Sequence, residues 1–122
     1  MENYEKLIKL TNMLKTFNNK CIDILEQRKE LTHVEVDFYR EVYPFANEVN
    51  KILDMWKINA LQWINEQNPK YIYPLQIEST FENLQTLSVQ VFYNEGKGKR
   101  LLNLHQSVDY LLNAMISELK EK

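Results

Sequence analysis

The sequence predicts an all-α protein, folded as an up-down-up-down four-helix bundle. Three observations carry that expectation. Apolar residues recur at three- and four-residue intervals along four long segments, the spacing of one buried helical stripe. Chain breakers are scarce, with 2 glycines and 3 prolines in 122 residues, so long helices and few turns are expected. The connections left between the segments are about five residues each, and short loops make sequential helices antiparallel neighbours.

The first segment repeats Tyr4, Leu7, Leu10, Leu14, Phe17, Cys21, Ile24 or Leu25, and Arg28 on one face. The second repeats Phe38, Val42, Phe45, Val49, Ile52, Trp56, Ala60, Trp63 and Gln67. Two starts compete for it. Thr32-His33-Val34-Glu35 has the form of a capping box, with Leu31 and Val36 placed for a hydrophobic staple, and Asp37 is a rival N-cap. Pro44 lies inside the pattern, where it removes a donor and crowds the Arg40 carbonyl; a short leading helical piece and a restart near Pro44 follow.

The third segment starts at Pro74, suited to a first helical position, with Gln76 placed to reach back to the cap. Its stripe is Ile77, Phe81 (or Thr80), Leu84, Leu87 or Ser88, and Val91. The fourth follows "NEGKGK" and repeats Leu101, Leu104 or His105, Val108, Leu111 or Leu112, Met115 and Leu119. Each helix is expected to run ~20–30 residues, or ~30–45 Å. Between the second and third segments, Asn68 precedes a proline and is biased out of the right-handed helical region. Pro69 to Tyr73 is expected to cross extended, with Tyr71 and Tyr73 on one side and Ile72 on the other, as a packed corner.

At 44 % hydrophobic and 26 % charged residues, the composition is that of one globular domain spanning 1–122. The net charge of −2 supplies no global field for nucleic acid or acidic membranes. A single cysteine, Cys21, forbids an intrachain disulfide and fits a reducing compartment. The N-terminus has neither the apolar run nor the small-residue site of a signal peptide, and no stretch matches a membrane span, so a soluble, cytoplasmic protein is expected.

Several stretches taken together, "VDFYREVYPFANEV", "WKINALQWI", "PKYIYPLQIESTFENLQTLSVQVFY" and "LHQSVDYLL", resemble the YppE-like family. These are small uncharacterised proteins of Firmicutes, of Bacillus, Staphylococcus and Listeria type. The resemblance covers most of the chain and is densest from Val36 to Leu112. It implies a left-handed up-and-down four-helix bundle and no assigned activity, so it brings no catalytic residues with it. The loop "YNEGKGKR" departs from the family's turn, and the resemblance lends that loop no role.

No catalytic or cofactor motif stands out. A di-iron bundle needs two Glu-x-x-His pairs and further glutamates. Glu30-Leu31-Thr32-His33 offers the spacing once, at a helix end, while Leu102 precedes His105 where a carboxylate would be needed. His105 on the fourth stripe reads as a core-edge histidine, with a general base as its rival. Cys21 on the first stripe reads as a buried, inert thiol. Lys97, Lys99 and Arg100 open the fourth helix, a candidate anion or RNA contact that lacks the Walker A pattern; a solvated turn is the plainer reading. Trp56 and Trp63 share a face that reads as core.

A candidate partner surface is drawn from Phe38, Tyr39, Trp63, Tyr71 and Tyr73. The expectation is a non-enzymatic module that binds another protein, with no cofactor and no membrane. An enzyme or small-ligand binder built on His105 is the rival, and RNA binding through the basic loop the third reading. The sequence leaves monomer and homodimer both open.

Overall fold

The computed structural model describes residues 4–29, 35–93, 96 and 98–120. It holds α1 (Glu5–Lys29), a π-helical turn (Phe38–Val42), α2 (Tyr43–Gln67), α3 (Pro74–Gln90) and α4 (Gly98–Lys120). Side-chain pairs fix the directions. Tyr4 meets Glu66, Thr11 meets Trp56 and Phe17 meets Phe45, so α1 and α2 run antiparallel. Lys57 with Glu78, and Phe45 with Phe92, set α3 against α2 in the same way. Asn18 with His105 joins α4 to α1 and closes the four-sided bundle.

One continuous core runs the length of the bundle. Leu7, Leu14, Cys21 and Leu25 of α1 face Leu53 and Trp56 of α2, Ile77 and Leu84 of α3, and Leu101, Leu112 and Met115 of α4. The stripes of α1, α3 and α4 are the expected ones. In α2 the buried edge is rotated: Ala46 and Leu53 are buried, while Phe45 and Ile52 only pack against the core. Phe38, expected on the stripe, is exposed.

The rotation begins at Pro44. Proline has no N–H for the Arg40 carbonyl, and its ring would press on that carbonyl. The Tyr43 N–H instead reaches back five residues to Phe38, which widens the turn ahead of the proline. Asp37 is the cap: its Oδ1 accepts from the Arg40 N–H at 3.2 Å. The rival capping box at Thr32–Glu35 lies mostly outside the described residues. α1 ends at Lys29 and the π-turn begins at Phe38, farther apart in sequence than expected.

At the other end of α2, Asn68 takes the left-handed conformation (φ 48°, ψ 56°), and its N–H still bonds Ile64 at 2.9 Å. Asparagine tolerates that region better than most residues, so Asn68 ends the helix without glycine. Pro69–Tyr73 is non-helical, with Ile72 buried and Tyr71 and Tyr73 exposed, the expected alternation. It is not straight: the chain bends at Lys70 and Tyr71, and the Tyr73 hydroxyl donates back to the Lys70 carbonyl at 3.1 Å. Pro74 then opens α3, and Gln76 Oε1 accepts from the Tyr73 N–H at 2.7 Å, the expected cap. At 17 residues α3 is shorter than expected, since it stops at Gln90.

Trp56 is fully buried, and its indole N–H must find an acceptor. Thr11 Oγ1 supplies it at 3.1 Å while donating to the Leu7 carbonyl at 2.7 Å. Thr11→Val keeps the shape and strands that N–H, so it is expected to cost about 1–3 kcal/mol in urea unfolding. Thr16→Val removes a similar bond, to Asn12, at an exposed site and is expected to stay within about 0.5 kcal/mol.

Candidate functional site

Apart from Tyr110 on α4, the exposed aromatics among the described residues fall into two groups at opposite ends of α2, roughly 37 Å apart for 25 residues at 1.5 Å each. They do not form one patch. Trp63 belongs to neither. It is 3 % exposed in the core, because its seven-residue spacing from Trp56 keeps both indoles on the inner face. It is removed from the candidate partner surface.

The first group sits on the π-turn. Phe38 packs edge-on against Tyr39 at 5.3 Å between ring centroids, and lies 6.4 Å from Tyr43. Their exposures are 42, 79 and 51 %. The turn beneath them is tied down from both sides. Glu41 Oε2 accepts from the Asp37 N–H at 2.8 Å, and Glu41 Oε1 pairs with Arg28 from α1. Arg28 is itself buried, its guanidinium over the Phe92 ring at 5.9 Å. Three aromatic rings therefore project from a fixed turn, Phe38 edge-on to Tyr39 and tilted against Tyr43. The backbone hydrogen bond from Asp37, helped by the Arg28 charge, holds the Glu41 carboxyl below the usual glutamate range.

The second group is the corner. Tyr71 and Tyr73 are exposed, with the Lys70 ammonium over the Tyr71 ring at 5.4 Å, and Leu75 follows on the first turn of α3. Beyond Leu75 a shallow groove of about 470 Å³ opens between α3 and α4. Gln76, Ser79 and Asn83 line one wall, and Gln106, Ser107 and Tyr110 the other. Leu75 and Tyr110 were not singled out from the sequence. The available signal was an apolar residue off the buried stripe: Tyr110 falls between Val108 and Leu111 and must face outward.

His105 lies on the α1–α4 seam, half-buried. Its Nδ1 donates to the Asn18 carbonyl at 3.2 Å, while Asn18 Nδ2 donates to the His105 carbonyl at 3.0 Å. This reciprocal pair makes His105 a crosslink between two helices. It lines neither the α3–α4 groove nor the grooves along α1 and along α4. Among the described residues no three His, Cys, Asp or Glu side chains converge to hold a metal ion, and no helix is long and apolar enough to cross a membrane. Glu30, His33 and Lys97 lie outside the described residues; Lys99 and Arg100 stand exposed on the first turn of α4.

Cys21 is fully buried, and burial pushes its thiol up to about 12. The thiolate, which is the nucleophile, is strongly disfavoured there, as its place on the stripe suggests.

The profile of a bacterial domain of unknown function, DUF1798, matches residues 11–119. The uncharacterized protein YppE of Bacillus subtilis (strain 168) is 27 % identical over 115 residues, spanning 94 % of this chain and 93 % of its own. The YppE crystal structure superposes with a TM-score of 0.89 at 25 % identity, covering 98 % of this chain and 97 % of that one. The crystal structure of a Listeria innocua protein of unknown function gives 0.87 at 28 % identity, covering 94 % and 91 %.

Two titrations are checkable. A carboxylate held below its ordinary value stabilises the fold above that value, and the contribution is lost as pH falls through the folded value. Glu41→Gln is therefore expected to lower the urea midpoint at neutral pH. The difference from wild type should vanish well below about pH 4, near the unperturbed glutamate value. Cys21 has the opposite sign. Its raised value favours the folded state below the ordinary thiol value of about 8.5 and costs stability as pH rises beyond it. Cys21→Ala is expected to flatten part of the alkaline stability loss. In the native wild type, a thiol reagent at neutral pH should react only as fast as the chain unfolds.

Proposed function

The chain belongs to the family of the bacterial domain of unknown function DUF1798, and from that premise we propose that it is a non-catalytic, cytoplasmic module that binds another protein. One observation carries the reading: Phe38, Tyr39 and Tyr43 form a contiguous, exposed aromatic cluster on a turn that Asp37, Glu41 and Arg28 hold rigid. Binding energy at protein interfaces concentrates in a few aromatic anchors. A ring already held in place loses little freedom on binding, so more of its contact energy appears as affinity. Exposing three large rings to water brings the fold nothing, which makes a role in contact the economical account of them. The corner at the far end, with Tyr71 and Tyr73, offers a second, smaller anchor. The buried, protonated Cys21 suits a reducing cytoplasm.

The test is site-specific photocrosslinking in the native organism. A crosslinker at position 39 is expected to trap a defined partner, and one at the exposed Lys51 on α2 is not. The adduct should disappear in a Phe38→Ala/Tyr43→Ala background that keeps its helical circular dichroism. Identical patterns at positions 39 and 51 would overturn the reading.

A further inference from the structure

The charges of this chain are unevenly placed. α1 carries nine charged residues in 25: Glu5, Lys6, Lys9, Lys15, Lys20, Asp23, Glu26, Arg28 and Lys29. α3 carries two in 17, Glu78 and Glu82. Glu78 is turned to α2, where it pairs with Lys57 at 3.0 Å, and Glu82 follows one turn later on the same side. From Leu101 to Ser117, α4 carries only Asp109, which accepts from Asn113 of its own helix at 3.2 Å. None of the nine residues lining the α3–α4 groove is charged, while Asp109 lines the neighbouring groove along α4, which no α3 residue lines. The groove on α1, by contrast, is lined by both Glu5 and Lys9.

We propose that the α3–α4 face is where a second copy of this chain docks, in a two-fold dimer whose axis passes over the α3–α4 groove beside Gln106. The argument is electrostatic. In a two-fold interface the same patch faces itself, so a charged side chain near the axis meets its own like-charged copy. A face that binds itself must be neutral there. A face built for a foreign partner gains steering and specificity from charge. Neutrality of the α3–α4 face, in a protein with 26 % charged residues, is the form of complementarity self-association requires.

Shape points the same way. Tyr110 is 76 % exposed and lines both the α3–α4 groove and the neighbouring groove along α4, so it stands as a ridge between them. A two-fold sets the Tyr110 of each copy into the α3–α4 groove of the other, between Leu75 and Asn83 on one wall and Gln106 on the other. A tyrosine anchor in a charge-poor centre suits such contacts. Amides and hydroxyls around the knob hydrogen-bond equally well to their own kind. This surface is separate from the aromatic turn, and a dimer would present that turn twice to a partner.

Sedimentation over a wide concentration range should carry the mass from 14.7 kDa toward twice that value. Gln106→Glu and Gln106→Lys, both surface changes, should each hold the chain monomeric where wild type dimerises. Mixing the two should restore the dimer, because opposite charges then meet across the axis. Tyr110→Ala should weaken association at least tenfold with unchanged circular dichroism. A wild type that stays monomeric throughout overturns the proposal. So do a dimer that survives both Gln106 substitutions, a mixture that fails to recover, or a crosslinker at Leu75 that traps foreign protein without a self-adduct.

Discussion

The indole of Trp56 sets the terms for this bundle. It is the largest fully buried side chain, it lies near the middle of α2, and it carries a polar atom into the centre of the core. A bundle of this size can bury so bulky a group only where facing helices leave room and one of them supplies an acceptor. α1 does both through Thr11, whose hydroxyl takes the indole hydrogen and passes its own to the Leu7 carbonyl. The chain of bonds leaves no unmet donor and fixes one vertical register between α1 and α2. With that register in place, Phe17 reaches Phe45 toward one end and Tyr4 reaches Glu66 toward the other.

The prolines work at the ends of the same helix. Pro44 forces the wide turn that rotates the entry to α2 and pushes Phe38 out of the core into solvent. Pro69 and Pro74 bracket the exit, where a left-handed Asn68, a buried Ile72 and the Gln76 cap turn the chain into α3. How α2 is entered and left thus decides where the exposed aromatics of its two ends stand. Neither end is loose: the first is tied through Arg28 and Glu41, the second through Ile72 and the Tyr73 hydroxyl.

The helices and their buried faces were legible because period and burial are the same information in a bundle. Pro74 and Gln76 could be read as a start because local chemistry alone decides a cap. The rotation of α2 could not. It depends on how the chain absorbs one missing hydrogen bond, and a kink, a restart and a π-turn all answer the same proline. Trp63 looked like a surface candidate because it clusters in sequence with aromatics that are exposed, although its stripe placed it inside. Asn18 and His105 were half legible. His105 could be placed at the edge of the core, but its partner lies 87 residues away on a different helix. The bent corner also escaped, since alternation predicts which side a residue faces and not whether the strand of chain folds back on itself.

Charge is the remaining layer, and stability does not dictate it. A four-helix bundle needs polar residues outside its stripes, but glutamine, asparagine, serine and threonine serve that need no better than lysine and glutamate. They are poorer for keeping copies apart, and serine, threonine and asparagine are weaker helix formers. α1 follows the ordinary solution, with charges of both signs along its outer face. α3 and most of α4 do not, although they face the same solvent in the same fold. Helix propensity, solubility and core packing would all permit charge on that side. The proposed docking of a second copy accounts for a difference confined to one face. An exposed tyrosine beside a neutral groove is the kind of relief that contact requires.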